Sequence, residues 1–210
     1  MLQKPTNPLE LLGLACETTM KQDPELKETP GKLIKYLISA KHMSVFEHLV
    51  YTFFIKGASR SFMSQITRHR VASYTVSSQH YQDYQEYPAV LEAPNAIMEN
   101  SINYSKATYV QLLEQGVSKE EARQVLPNAI STNILMTANA RSLENIIKQR
   151  RCKRNVTEMV VVVNKMRDLL VDHCPEIFSR FVTYCESDRC NQGKMKCGAP
   201  YEWKGTVRHI

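Results

Sequence analysis

The residues best suited to chemistry lie between Ser59 and Tyr81, in the stretch SRSFMSQITRHRVASYTVSSQHY. Arg68, His69 and Arg70 stand in a row there, followed by Ser73, Thr75, Ser77, Ser78 and Gln79, with Tyr74 and Tyr81 flanking. Guanidinium forks grip phosphate or carboxylate through paired N–H donors, and small hydroxyls beside flat rings suit an anionic, partly aromatic ligand such as a nucleotide. Adjacent residues cannot share one helix face, so the row fans its donors in several directions. A blander account competes. Ser59 is a good N-cap, and Phe62, Ile66 and His69 recur at helical spacing, so a helix is expected to end near residues 68–70. Cations at its last turn would then only offset the negative end of the helix dipole. Further arginines fall at expected helix ends: Arg123, Arg141 and Arg150.

The elements that must position these groups read as follows. Asn7-Pro8 opens a helix with Leu9, Leu12 and Cys16 on one face, and Thr29-Pro30 opens another carrying Leu33, Tyr36, Leu37 and Ala40. Ser44 and Glu47 have capping-box spacing, predicting a helical turn. The β-branched and aromatic run from Leu49 to Lys56 predicts a buried strand that Gly57 ends. His42 and His48 bracket the turn before it, where a packed or surface role is the default for a histidine. A tyrosine-rich polar segment then leads through Pro88 to Pro94. Asn100 to Gln115 reads as an amphipathic helix capped by Gly116, and Ser118 with Glu121 starts a short helix that stops before Pro127. AISTNILMTAN alternates like a strand, and Asn139 precedes a helix with Leu143, Ile146 and Ile147 inward. Asn155 to His173 is expected to be the longest helix, apolar enough for a core or a subunit interface, with Pro175 breaking it.

With 210 residues, 43% of them hydrophobic and 23% charged, the chain has the make-up of a globular domain able to bury a core. Its net charge of +6 favours an anionic partner without choosing among nucleotide, nucleic acid and lipid. No secretory leader and no membrane-length apolar run is visible, so a cytoplasmic location and no membrane partner are expected. Six cysteines in that compartment point to thiols or metal ligands, not disulfides. There is no Gly-rich phosphate loop, no GxSxG and no HExxH, which removes the parts those chemistries need.

Arg68-His69-Arg70, Ser73 and Ser78 together resemble the RHRxxSxxxxSxR signature of the flavin-dependent thymidylate synthases (ThyX). His42, Ser44 and Phe46-Glu47-His48 before a strand, Ser59-Arg60 and Gln65 before the signature, and Asn139-Ala140-Arg141-Ser142-Leu143 through Arg150 after it follow the same family's order, from about Leu33 to Phe181. The resemblance implies an α+β fold, an antiparallel sheet flanked by helices of the thymidylate synthase-complementing type, assembled as a homotetramer with shared active sites. Residues 1–184 would form that domain and 185–210 a basic, cysteine-bearing tail. It implies reductive methylation of dUMP to dTMP, with methylenetetrahydrofolate as carbon donor and NADPH reducing FAD, the hard chemistry belonging to the flavin. Carried over by position, Arg150 is the activating group. Gln65, Arg68, Ser77, Ser78, Gln79, His80, Arg123 and Arg150 meet dUMP; Ser44, Arg68, His69, Arg70, Val76, Asn139, Ala140, Arg141 and Asn145 meet FAD.

Two positions depart from the family pattern. His80 stands where the signature ends in arginine, replacing a permanent fork with a weaker, pH-dependent donor. Val76 stands where a glutamate or glutamine is usual. A related pyrimidine nucleotide, or a hydroxymethyl product, is the corresponding alternative. So are a basic nucleic-acid-binding module using the same arginines and tyrosines, and a scaffold that has lost flavin. The arginines lie at several element ends instead of one stripe, which speaks against nucleic acid. In the tail, free thiols and no metal are the expected reading of Cys185, Cys190 and Cys197, because the spacing is not the paired CxxC of strong sites; zinc, with Cys174 or His173 as a fourth ligand, is the alternative.

Overall fold

The computed structural model describes residues 1–187, 190–198 and 208–209. Its centre is a three-stranded antiparallel sheet in the order β1 (Val50–Ser59), β4 (Ser131–Asn139), β2 (Ser73–Val76). Tyr51, Phe53 and Ile55 of β1 and Ile134, Met136 and Ala138 of β4 all point to one buried face. Burying each large apolar side chain contributes about 1.5–3 kcal/mol, and a one-residue slip would turn the whole set outward, so this alternation holds the register. The opposite face carries Val50, Phe54 and Leu135, which are exposed. A second, two-stranded sheet pairs β3 (Val90–Leu91) with β5 (Arg208–His209).

Gly57 does not end the strand. β1 continues to Ser59 through a bulge between Ile55 and Ala58, where Gly57 takes φ +69° and donates its N–H to Asn133 Oδ1 at 2.9 Å. The asparagine side chain supplies the bond that the ladder loses, which is why the chain can stay extended. A Cβ on Gly57 would also lie 3.2 Å from His209 Cε1.

Helices α1 (Pro8–Thr18), α2 (Gly31–Ser39), α6 (Ala140–Arg150), α7 (Thr157–His173) and α8 (Pro175–Phe178) share one core with the buried sheet face. Tyr51 meets Phe178 edge-on at 5.2 Å, and Phe178 meets Phe181 at 5.1 Å. On α2 the buried stripe is Ile34 and Leu37, while Tyr36 is exposed, a rotation from the expected face. Ser44–His48 forms the expected turn as a 3-10 helix, without the side-chain cap that its spacing suggested. α4 (Ala96–Glu114) starts ahead of Asn100, at Asn95, whose side chain accepts from Ile97 and Met98 N–H; at 19 residues against 17 it exceeds α7. Between β1 and β2 runs α3 (Arg60–Ile66), and α5 (Lys119–Ala122) precedes a 3-10 turn through Arg123.

Register divides the sheet into two ends. Val50 pairs with Asn139 and Ser73 with Thr137 at one; Val76 pairs with Ile134 and Ser59 with Ser131 at the other. β2 spans the interval, about 10 Å at 3.4 Å per residue.

Candidate active site

Ser59 caps α3, its Oγ accepting from Phe62 N–H at 2.9 Å. The same Oγ donates to Glu158 Oε2 at 2.5 Å, and Ser59 N–H donates to Glu158 Oε1 at 2.6 Å, so the first turn of α7 anchors the start of α3. Burial pushes the Glu158 carboxyl above its ordinary value, the Ser59 bonds opposing. α3 stops at Ile66, and Arg68, His69 and Arg70 lie beyond it instead of closing its last turn. Leaving the helix lets the three side chains diverge. Tyr74 pins the bend, its hydroxyl reaching Ile66 O at 2.9 Å and His69 O at 3.1 Å.

Arg150 arrives at this bend from the last residue of α6. Its Nε donates to His69 Nε2 at 2.9 Å, Nη2 to Gln65 O at 3.1 Å and Nη1 to Asn155 Oδ1 at 3.3 Å. All three acceptors are neutral, and no carboxylate pairs with Arg150 among the described residues. A guanidinium has five N–H donors, so part of its capacity and all of its charge stay uncompensated. Burial first, then Arg150 and Arg68, hold His69 down to about 4, so the imidazole is neutral, with Nε2 as acceptor and the proton on Nδ1. Burial and Arg68 likewise lower Arg150, with Tyr74 opposing, yet a guanidinium remains charged.

A second group forms at the other end of β2. Ser77 N–H donates to Asn133 O at 2.9 Å, Ser78 Oγ accepts from His80 N–H at 3.2 Å, and Gln79 is buried. Glu120 faces both His80 Nδ1 at 3.5 Å and Arg123 Nη2 at 3.6 Å, which brings these two expected ligands together. A third group sits where β1 starts and β4 ends. Asn139 Oδ1 caps α6 through Ser142 N–H at 2.9 Å, and Arg141 pairs with Glu47, three residues from the exposed Ser44. Ala140 is fully buried with its N–H spent on Leu49 O at 2.8 Å, Asn145 accepts from Gln149 Nε2, and Val76 packs its side chain against the core.

Beside Arg150 a cavity of ≈ 330 Å³ opens between the α6–α7 turn and residues 183–185 and 190–192, lined also by Lys148, Arg154, Asn155 and three cysteines: Cys152, Cys185 and Cys190. Neither fourth metal ligand considered for the tail is here. Cys174 lies in the core with its thiol toward Glu176, and His173 Nε2 contacts Pro5 O at 3.0 Å.

The model of the family described as thymidylate synthase complementing protein matches residues 2–176. The flavin-dependent thymidylate synthase of Geobacter sulfurreducens is 34% identical over 183 residues, covering 83% of this chain and 79% of that one. This chain belongs to the flavin-dependent thymidylate synthase family. The enzyme of that name from Clostridium tetani is 30% identical over 201 residues, 85% of this chain and 81% of its own. A crystal structure of the Helicobacter pylori flavin-dependent thymidylate synthase, complexed with FAD and dUMP, superposes with TM-score 0.72 at 23% identity, over 86% of this chain and 97% of that one. At that identity the match speaks for the fold, the α+β arrangement of a small antiparallel sheet with helices.

For a flavin-dependent thymidylate synthase, then, the chain assembles Gln65, His69 and Arg150 at one point, His80 and Arg123 at a second, and Arg141 with Glu47 of the Ser44–His48 turn at a third. Asn155, Glu120 and Glu158 hold these groups and were not singled out as site residues in the sequence, whereas Tyr74 was, as a ring flanking the basic stretch. Glu120 and Glu158 each had a local mark, a carboxylate in a helix's first turn.

Proposed function

We propose that the chain carries out the reaction of its family, methylating dUMP to dTMP with methylenetetrahydrofolate as carbon donor and NADPH as reductant of a bound FAD. One observation carries this reading: a half-buried Arg150 held by three neutral acceptors, with no carboxylate partner among the described residues. A surface cation at a helix end has no need of such a cradle. Placed against a pyrimidine, this charge would stabilise the negative charge that develops there, an effect worth roughly 2.7–4 kcal/mol per donor in a dry site. Neutral His69 orients the guanidinium without neutralising it.

The donor set fits a flavin dinucleotide. Arg68 and Arg70 are exposed and have no carboxylate partner among the described residues, which suits a diphosphate. Asn139, Arg141, Asn145 and Ser44 would meet the flavin, as the family resemblance implies, with Ala140 and Val76 limited to what their backbones offer. Bound FAD supplies the hydride transfer, and the chain supplies position and charge. For dUMP, the Ser77 to His80 segment with Arg123 forms the phosphate-facing group. Glu120 occupies His80 and Arg123 only from an exposed position, where such pairs are worth little, so a phosphate displaces it.

The groups lie at opposite ends of β2 in one protomer, which supports a site completed by a neighbour. Exposed Val50, Phe54 and Leu135 on the uncovered sheet face suit a seam in a homotetramer. Among the described residues no helix is long and apolar enough to cross a membrane. The proposed enzyme works in the cytoplasm without nucleic acid, its arginines being spread over separate element ends.

The purified protein is expected to be yellow, to bleach with NADPH in the absence of oxygen, and to form dTMP when dUMP and methylenetetrahydrofolate are added. A chain that takes up no FAD would overturn the reading. Light scattering giving a monomer at working concentration would remove the shared site.

A further inference from the structure

The six cysteines are thiols, none in a disulfide, and they fall into two sets. Cys16 and Cys174 are packed into the main core. Cys152, Cys185 and Cys190 line the cavity beside Arg150. The Cys185 thiol hydrogen-bonds Cys190 and lies within electrostatic reach of both Cys152 and Cys197. Three thiols from the α6–α7 turn and the tail therefore face one cavity, and a fourth, Cys197, lies within electrostatic reach of Cys185.

That space is built to stay together. Arg151, almost fully buried, pairs with Glu186 at 2.9 Å, and Arg154 Nη1 donates to Gln192 Oε1 at 3.0 Å, so Glu186 and Gln192 are already held on the turn. Yet residues 193–198 are exposed and contribute no apolar side chain to any core cluster. A short segment without a hydrophobic anchor needs another kind of fastening. Lys148 and Arg154 also line the cavity. Four thiolates around a divalent ion leave an excess negative charge, and these cations would offset it.

We propose that Cys152, Cys185, Cys190 and Cys197 form a tetrahedral thiolate site for Zn²⁺ that fastens the tail to the turn bearing Arg150 and Asn155. Sulfur donors and fourfold coordination are what a structural zinc ion takes, at Zn–S distances of about 2.3 Å. The candidate site is empty: among the described residues no three His, Cys, Asp or Glu side chains are drawn together closely enough to hold an ion. It closes on the metal, whose binding free energy offsets the ordering of the tail. The site adjoins Arg150 and Asn155, so its test is elemental, not catalytic.

Elemental analysis of the full chain, purified without chelators, is expected to find zinc equimolar with protein. Metal-stripped, reduced chain given Co²⁺ alone should develop the ligand-field bands of a tetrahedral tetrathiolate, beyond the flavin absorption. Cys185→Ser and Cys197→Ser should lose the ion and those bands, whereas Cys16→Ala and Cys174→Ala keep both. Circular dichroism identifies any variant that has failed to fold, and Cys197→Ser, on an exposed segment, is the substitution least able to disturb the core. Wild-type chain that holds no zinc and gives no cobalt bands overturns the proposal. So does iron in place of zinc, or recovery of Cys185 and Cys190 as a disulfide from a reducing extract.

Discussion

Acid is a direct probe of the contact between His69 and Arg150. In the folded chain the imidazole is held at about 4, against 6.5 for a free histidine, so the native state binds that proton less readily than the unfolded one. The difference, about 2.5 units at 1.36 kcal/mol each, sets a ceiling of about 3.4 kcal/mol. The ring is only half enclosed, and solvent screening reduces the contribution to roughly 1–2 kcal/mol. A depressed pKa gives stability that is fully present above about pH 6.5 and is lost progressively as the pH falls through 6.5 toward 4. Protonation would also turn Nε2 from an acceptor into a donor facing the Arg150 Nε–H, breaking a 2.9 Å bond. Replacing the cation by Arg150→Gln removes the second of the causes that depress His69, so its pKa should rise while burial keeps it below 6.5. Nitrogen-detected NMR of the imidazole reads both the titration and the tautomer, with Nδ1 protonated at neutral pH. A wild-type His69 titrating at or above 6.5, or one unmoved by Arg150→Gln, would refute the reasoning.

Three further outcomes are expected. Arg150→Lys keeps the charge but cannot reach His69 Nε2, Gln65 O and Asn155 Oδ1 together, so single-turnover dTMP formation should fall by about 10²–10³-fold, the loss of one preorganised donor; activity within tenfold of wild type would deny Arg150 its role. Glu158→Ala leaves Ser59 N–H and Oγ without their acceptor in a buried place, costing about 1–3 kcal/mol. Calorimetry should show Tm lowered by about 2–4 °C for each kcal/mol lost, and an unchanged Tm would mean that the anchor contributes nothing. His80→Arg restores a permanent fork beside Arg123 and should tighten dUMP binding, whereas unchanged or weaker binding by titration calorimetry would count against His80 as a phosphate ligand.

Much of the frame was readable from neighbours in the chain. The caps at Ser59, Ser118 and Asn139 are bonds from a side chain to an N–H three residues on, and the residue types alone announce them. β1 was legible as a β-branched and aromatic run and β4 as an alternation of apolar and polar side chains. The cationic groups were visible as residue types, and their order along the chain carried the family resemblance. What surrounds them was not visible. Arg150 meets His69 across 81 residues, Gln65 across 85, and Ser59 meets Glu158 across 99. No local pattern marks such pairs, because the chain between them is free to set any distance until the core closes. The same holds for Gly57, where a turn signal became a bulge once Asn133 came alongside, and for Cys152, which shares a cavity with Cys185 and Cys190 only because α6 ends there. Residue types and spacing thus determined the strands, the caps and the stock of cations and thiols. Tertiary packing alone decided which of them meet, because a contact between distant residues becomes favourable only after the buried sheet face and its helices have fixed both ends.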